Sequence, residues 1–450
     1  MSYPLVIVAG GRGTRLGGGA TPKSMVEIGS VPLVEHQIRV AASCRILKIY
    51  LLLGHGAEHI IAYIGDGARF GVHVEYLVEE APLGTGGCIG MLAGRINSPF
   101  FVIFGDIFAE FDFRRLESFF HQNTSSNGMV AVVHPNTHPM DSDLLAVDGC
   151  SRVLAIRSRP HCIDEDFNNL VNAAIFLLRP SIFPHVSRRS PCDLVVDGIE
   201  SFLSEKGELW AYKTSEYIRD IGTPKRLSHV REQYRAGIPQ RRRLSSPQRA
   251  IFLDRDGTLI RFVYHLAHQT QVELLPEAAD AVSLINGSDY LAIIATNQPG
   301  IAKGFFTLTD LDRINRRVET LLGRQGAYLD DIFFCPHHPQ TGFPGENLEF
   351  KKTCNCRKPK PGMLESAARK HNISLPDSWM IGDSDCDIRA AVAAGCRAIR
   401  IGEGVSRFGE IVVSNLAEGV RLAITGEENS PETEKSSLDM PIGKRSSQIL

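Results

Sequence analysis

The sequence predicts an α/β protein of two doubly wound domains, and three observations carry that expectation. Near the start, the apolar run Leu5 to Ala9 ends in Gly10-Gly11-Arg12-Gly13, the pattern of a strand feeding a glycine-rich turn. Past the middle, Ile251-Phe252-Leu253 delivers Asp254, Arg255 and Asp256 onto Gly257, a strand that ends in two acids. Between them, 237–248 breaks periodicity with Gly, Pro, Ser and three arginines in a row. It is expected to be a solvated linker, with contact to an anionic substrate as the alternative. The expected organisation is a first domain over 1–236, the linker, a second domain over 249–424 and a disordered, Ser/Glu/Lys/Pro-rich tail over 425–450.

Composition narrows the class. A chain of 450 residues is long enough for two or three domains, each with its own core. A formal net charge of -2 without a long basic stripe argues against nucleic acid as the main partner. No apolar run approaches the roughly 20 residues that span a bilayer, so no membrane partner is expected. The opening Met-Ser-Tyr-Pro leads into a strand without a charged leader, which suggests a cytoplasmic protein. Most of the ten cysteines stand singly in apolar or helical contexts, so reduced thiols and one metal site are expected. The oligomeric state, homo-oligomer included, stays open.

In the first half, the glycine turn lets backbone N–H groups approach a polyphosphate, and Arg15 adds a cation in reach of the same oxygens. Taken alone such a loop is equally a plain tight turn. Three neighbours add to it: Lys23 in Thr21-Pro22-Lys23, a second glycine turn in Leu83-Gly84-Thr85-Gly86-Gly87, and a strand from Phe101 that ends at Gly105-Asp106. A strand-terminal Asp suits Mg2+. Together these residues resemble the sugar-1-phosphate nucleotidyltransferases over the whole half. The resemblance implies a Rossmann-like mixed sheet in which Gly10, Gly11, Gly13 and Arg15 hold the NTP phosphates and Lys23 stabilises the transferring phosphoryl group. Gly84, Thr85, Gly86 and Gly87 would frame base and ribose. Asp106 would hold Mg2+ with Asp220 of Asp220-Ile221-Gly222-Thr223-Pro224, and Asn172 would contact the sugar. Two departures stand out: Gly17-Gly18-Gly19-Ala20 after Arg15, and Ser158-Arg159-Pro160 where relatives carry Glu-Lys-Pro. The stretch from Glu79 to Gly87 looks most like guanylyltransferases acting on D-glycero-D-manno-heptose 1-phosphate. GTP is therefore favoured, with UTP, CTP and dTTP still open.

In the second half, Asp254 and Asp256 point the same way from a strand end, so one can attack a phosphorus while the other moves the proton. Mg2+ is expected between nucleophile and phosphate, held by carboxylates such as Asp383 and Asp387. The strand from Leu291 ends in Thr296 and Asn297, a hydroxyl and an amide suited to phosphate oxygens. A flexible basic turn around Lys303 precedes helical spacing from Leu308 to Leu322. Lys358 follows in a Pro-restricted basic run. This order of motifs is identified as that of the haloacid dehalogenase (HAD) phosphatase superfamily, which implies an HAD-like parallel sheet. It also implies that Asp254 is the nucleophile and Asp256 the acid and base, with Thr296 and Lys358 steadying the phosphoryl group. Mg2+ would sit on Asp254, Asp383 and the backbone carbonyl of Asp256, with Asp387 in support.

Cys335-Pro336-His337 and Cys354-Asn355-Cys356 supply four donors for a closed structural Zn2+ site, with His338 as the rival of His337. This loop resembles those of heptose 1,7-bisphosphate phosphatases and histidinol phosphatases. The run Arg357-Lys358-Pro359 is closer to the heptose group, where Arg357 would read a second phosphate. In series the halves imply a bifunctional enzyme of bacterial GDP-heptose synthesis for surface polysaccharide. Two alternatives remain: a histidinol phosphatase fused to a transferase of other specificity, and a phosphatase regulated by a non-catalytic nucleotide-binding half.

Overall fold

The structure is a computed structural model and describes residues 3–11, 22–162, 164–187 and 191–426. Gly13 and Arg15 lie outside the described residues, as do Gly17 to Ala20 and the tail beyond Gly426. The helix Leu416–Thr425 reaches into the first position of that expected tail.

The apolar run Leu5–Ala9 forms a strand whose side chains are buried apart from the half-buried Val8. Leu5, Ile7 and Ala9 face one hydrophobic core while Val6 faces another, as alternation on a sheet buried on both faces requires. It lies between Lys48–Leu53 and Phe100–Phe104 and runs parallel to both. Farther out the sheet becomes mixed, because Val171–Leu178 pairs antiparallel with Phe100–Phe104. Among the described residues this sheet has nine strands. The chain winds to opposite sides of its first strand, so a crevice opens beyond that strand's carboxyl end, at Gly10 and Gly11.

The second half repeats this logic with a six-stranded sheet whose pairs are all parallel. Arg249–Leu253 lies between Tyr290–Asn297 and Trp379–Gly382. Ile251 and Leu253 enter one core, Ala250 and Phe252 the other. The winding direction again reverses beside the central strand, which puts Asp254 and Asp383 at the mouth of one crevice. The helix expected from Leu308 runs Leu308–Arg324, opened by a Thr307/Asp310 capping box. Among the described residues, no helix is long and apolar enough to cross a membrane.

The segment 237–248 is not the solvated linker expected. Ile238–Arg241 is a helical turn, and Arg242 is buried, its guanidinium 2.5 Å from the buried Asp330 carboxylate. Arg243 pairs with Glu110, and Arg241 with Asp289. The arginines find carboxylates on both halves because the segment runs through their junction. Lys213 of the first half reaches Asp331 of the second at 3.2 Å. Ser215 bonds His371 Nδ1, and His371 Nε2 lies 2.7 Å from Asp331.

Candidate active sites

The second-half crevice encloses about 380 Å³ between the strand ends and a rim that includes Phe262, Tyr264, His265, Lys303 and Phe305. Strand alternation sends Asp254 and Asp256 toward it and Arg255 into the protein, where Arg255 is fully buried. Arg255 bonds Asn315 at 2.9 Å and pairs with Asp256 at 3.0 Å, fixing the Asp256 carboxylate from behind. Gln298 donates to the same carboxylate at 2.7 Å. Gly257 has φ +92°, and a side chain there would strike the Asp383 carboxylate, so glycine lets the turn pass under that acid.

Lys358 is buried and places Nζ 2.7 Å from Asp254, 2.5 Å from Asp387 and 2.7 Å from the Ala295 carbonyl. Burial raises the Asp254 carboxyl pKa; Lys358 works against that shift and Asp387 adds to it. Asp383 is raised too, by burial and then by Asp387. Asp254, Asp383 and Asp387 each present an oxygen within 4.8 Å of the others. These hard donors with an excess of negative charge suit Mg2+, which would lower both carboxyl pKa values again. The Asp256 side chain is not in that group.

The first-half crevice encloses about 480 Å³, lined by Gly10, Gly11, Lys23, Glu79, Gly84, Thr85 and Asp106 among others. Lys23 Nζ lies 3.4 Å from Asp106. The backbone of Gly86 and Gly87 hangs on the Cys192 carbonyl. Thr85 gives its hydroxyl proton to Asp193 at 2.9 Å. Asp220 stands beside Asp106 because the Ile221 N–H bonds the Asp106 carbonyl. Its carboxylate bonds Arg226 at 2.8 Å and lies 3.3 Å from His138. Burial alone would raise its pKa, but the hydrogen bond from His138 and the Arg226 charge hold it well below the usual carboxylate range.

Cys335, His337, Cys354 and Cys356 place one donor atom each within 4.8 Å of all the others. Sulfur separations run 3.2 to 3.6 Å, close to the ~3.8 Å edge of a tetrahedron with 2.3 Å Zn–S bonds. The cysteines are free thiols. Cys335 and Cys356 shift oppositely, each chiefly through its hydrogen bond with the other, Cys335 upward and Cys356 down to about 5. A metal ion would relieve that crowding of donors. His338 turns to the Gln340 carbonyl instead.

A nucleotidyl transferase family model matches residues 5–237. An HAD-hydrolase-like model matches residues 355–416. Over 177 residues the chain is 37% identical to the D-glycero-beta-D-manno-heptose-1,7-bisphosphate 7-phosphatase of Yersinia pestis, covering 38% of this chain and 92% of that one. The chain belongs to the nucleotidyl transferase family in its first half and to the HAD phosphatases in its second. Among solved structures, HddC from Yersinia pseudotuberculosis matches at 26% identity and TM-score 0.45, over 52% of this chain and 100% of that one. The D,D-heptose 1,7-bisphosphate phosphatase from B. bronchiseptica, complexed with magnesium and phosphate, matches at 29% identity and TM-score 0.35, over 40% and 100%.

In the phosphatase half the structure brings together Asp254, Asp256, Thr296, Lys358, Asp383 and Asp387 around one crevice. Two residues expected at phosphate have hydrogen-bond partners within the chain. The Asn297 amide spends both its ends on the Lys358 backbone, at 3.0 Å each, because Lys358 must be held to point inward. Arg357 reaches the His337 carbonyl at 3.4 Å, so it braces the cysteine loop. In the transferase half Gly10, Gly11, Lys23 and Asp106 share the crevice. Asp220, expected as a metal ligand, is held by Arg226 and His138, and the Asn172 side chain accepts from the Ala174 N–H. Sequence reasoning missed Arg226, His138, Arg255 and Gln298. Arg255 was readable, since an arginine between two outward acids on a strand end must point inward.

Proposed function

We propose that the chain is a bifunctional enzyme of GDP-heptose synthesis. Its phosphatase half would remove the 7-phosphate of D-glycero-D-manno-heptose 1,7-bisphosphate, and its transferase half would join the remaining heptose 1-phosphate to GMP from GTP, releasing pyrophosphate. The observation that carries this reading is the joining, in one chain, of a nucleotidyl transferase to a domain 37% identical to a heptose bisphosphate 7-phosphatase. Removing the 7-phosphate leaves a sugar 1-phosphate, the acceptor a sugar nucleotidyltransferase takes. GTP rests on the Glu79 to Gly87 stretch.

At the phosphatase site an Asp254 oxygen attacks the phosphorus in line and the bond to the sugar oxygen breaks. Asp256 gives its proton to that leaving oxygen, then takes one from the water that cleaves the aspartyl phosphate. Arg255 and Gln298 keep the Asp256 carboxylate aimed. Lys358 offsets charge on the phosphoryl oxygens. Mg2+ held by Asp254, Asp383 and Asp387 would supply the remaining positive charge. At the transferase site the sugar phosphate oxygen attacks the α-phosphorus of GTP and pyrophosphate leaves. Lys23 stands beside Asp106, where Mg2+ would bind, and Gly10 and Gly11 offer backbone N–H groups to the phosphates. Zn2+ on the four cysteine-loop donors would be structural.

A one-pot incubation with heptose bisphosphate and all four NTPs tests the whole reading. GDP-heptose identified by mass, with release of phosphate and pyrophosphate, is the expected result. The Asp254→Asn variant should lose phosphate release and keep pyrophosphate release from added heptose 1-phosphate. Hydrolysis of histidinol phosphate in preference to heptose bisphosphate would overturn the phosphatase assignment. Nucleotide binding without turnover would make the first half regulatory.

A further inference from the structure

The acceptor side of the transferase half leans on a helix of the phosphatase half. On Leu308–Arg324, the buried Thr320 hydroxyl accepts the Phe167 N–H at 2.8 Å, and its proton lies between the Arg316 carbonyl of its own helix at 2.8 Å and the Phe167 carbonyl at 3.1 Å. Glu319, also buried, accepts from the Asn168 amide at 2.8 Å. Arg317 pairs with Asp166 at 3.1 Å. Gly323 faces the turn Pro139–Asp141 so closely that an added methyl would lie 2.8 Å from the Pro139 ring.

From Phe167 the contacts continue inward without a break. The next-but-one residue, Asn169, exchanges hydrogen bonds with the Asn136 backbone at 3.1 and 2.8 Å. The Asn136 side chain in turn accepts the His138 N–H at 2.9 Å, and the His138 ring meets Asp220. The turn that Gly323 touches carries Asp141, which pairs with Arg226 at 3.1 Å and takes an Arg159 hydrogen bond on its carbonyl at 2.9 Å. Asn172 follows on the strand that starts at Val171. The loops carrying His138, Asp141 and Phe167, pinned from the other domain, thus bond Arg159, Arg226 and Asp220 and lead into the strand that carries Asn172.

We infer that Thr320 and Glu319 are positioning residues for the sugar-phosphate side of the transferase site, although the phosphatase half supplies them. This role rests on the reading of the first half as a sugar-1-phosphate nucleotidyltransferase. The nucleotide side is built from Gly10, Gly11, Glu79 and Gly84 to Gly87, which make none of these contacts. Loosening the pinned loop therefore weakens the grip on one substrate only. A helix that merely glued the domains would alter both substrates or neither.

The test is steady-state pyrophosphate release by the full chain, varying heptose 1-phosphate at saturating GTP and the reverse. Thr320→Val removes the hydroxyl's contacts with Phe167 together with its bond to the Arg316 carbonyl in its own helix; Gly323→Ala keeps every interface hydrogen bond and pushes only on Pro139. Each should raise KM for the sugar phosphate about fivefold or more and leave KM for GTP within about twofold. Thr320→Ser should restore the wild-type value. Phosphate release from the bisphosphate should not change in any of them. An unchanged sugar KM in both Thr320→Val and Gly323→Ala, or an equal rise for GTP, overturns the inference. Absence of pyrophosphate from the wild type with any sugar 1-phosphate is a different result, since it removes the reading beneath it.

Discussion

Arg255 and Glu216 are both buried charges, and their partners send them different ways. Arg255 meets a carboxylate, Asp256, and an amide oxygen on Asn315, so its charge is matched. Glu216 meets only neutral donors: the Thr214 hydroxyl and the N–H groups of Asp112 and Leu244. Burial pushes its carboxyl pKa up to about 7, and those hydrogen bonds only partly oppose the shift. An acid whose pKa is raised by folding contributes stability that is complete below the unfolded value of about 4.3 and is lost as pH rises through 7. Glu216→Gln keeps the shape and cannot ionise. The wild type should therefore lose stability relative to Glu216→Gln between about pH 4.5 and 7.5, by an amount on the order of 3 kcal/mol. Denaturant melts of both proteins across that range check it, and a difference that stays flat with pH would show that Glu216 is not raised.

At the scale of elements, the cysteine loop decides how Lys358 is presented. Cys354 and Cys356 lie just before Arg357 and Lys358, and Asn297 holds the Lys358 backbone from the neighbouring strand end. A structural zinc ion would tie this loop to Cys335 at the end of Asp331–Cys335. Cys354→Ser is expected to drop zinc content from about one ion per chain to well below one, lower the melting temperature and reduce phosphate release. Metal analysis of the purified protein reads the first effect directly, and unchanged zinc content would remove Cys354 from the ligand set. This element was legible before folding because its chemistry is local: two Cys-x-His/Cys pairs, each with a one-residue gap, need only one loop closure to meet. The strand-end acids were legible for the same reason, since alternation along Ile251 to Asp256 decides which side chains face out. Asp220 was not. Its sequence context offers a metal ligand, but Arg226, in the first turn of the helix Pro224–Arg235 that follows, and His138 from a distant loop bond its oxygens, and only the folded chain puts that histidine there.

At the scale of the molecule, the junction is where sequence reading failed most and where the structure is most constrained. An arginine-rich stretch with Gly and Pro reads as solvated because nothing local shows a partner; the partner of Arg242 is Asp330, far along the chain. Side-chain exposures of 3% and 1% put that pair out of reach of water. Arg242 also bonds the Tyr328 hydroxyl and the Ser215 carbonyl, while the second Asp330 oxygen accepts the Ala292 N–H. The pair therefore ties the joint to the central sheet of the phosphatase half. A buried pair adds modest net stability when complete, but removing one partner strands the other charge and costs about 3 to 5 kcal/mol. Asp330→Asn should accordingly lower the melting temperature by roughly 5 °C. Replacing both residues, Arg242→Met with Asp330→Leu, removes the stranded charge and should recover most of that loss. If the junction makes the two halves one unfolding unit, phosphatase and transferase activities of the wild type decay together on heating, and in Asp330→Asn both decay at a lower temperature. Activities that decay in separate steps in the wild type, or an Asp330→Asn midpoint equal to the wild type's, would mean the halves share a chain without sharing stability.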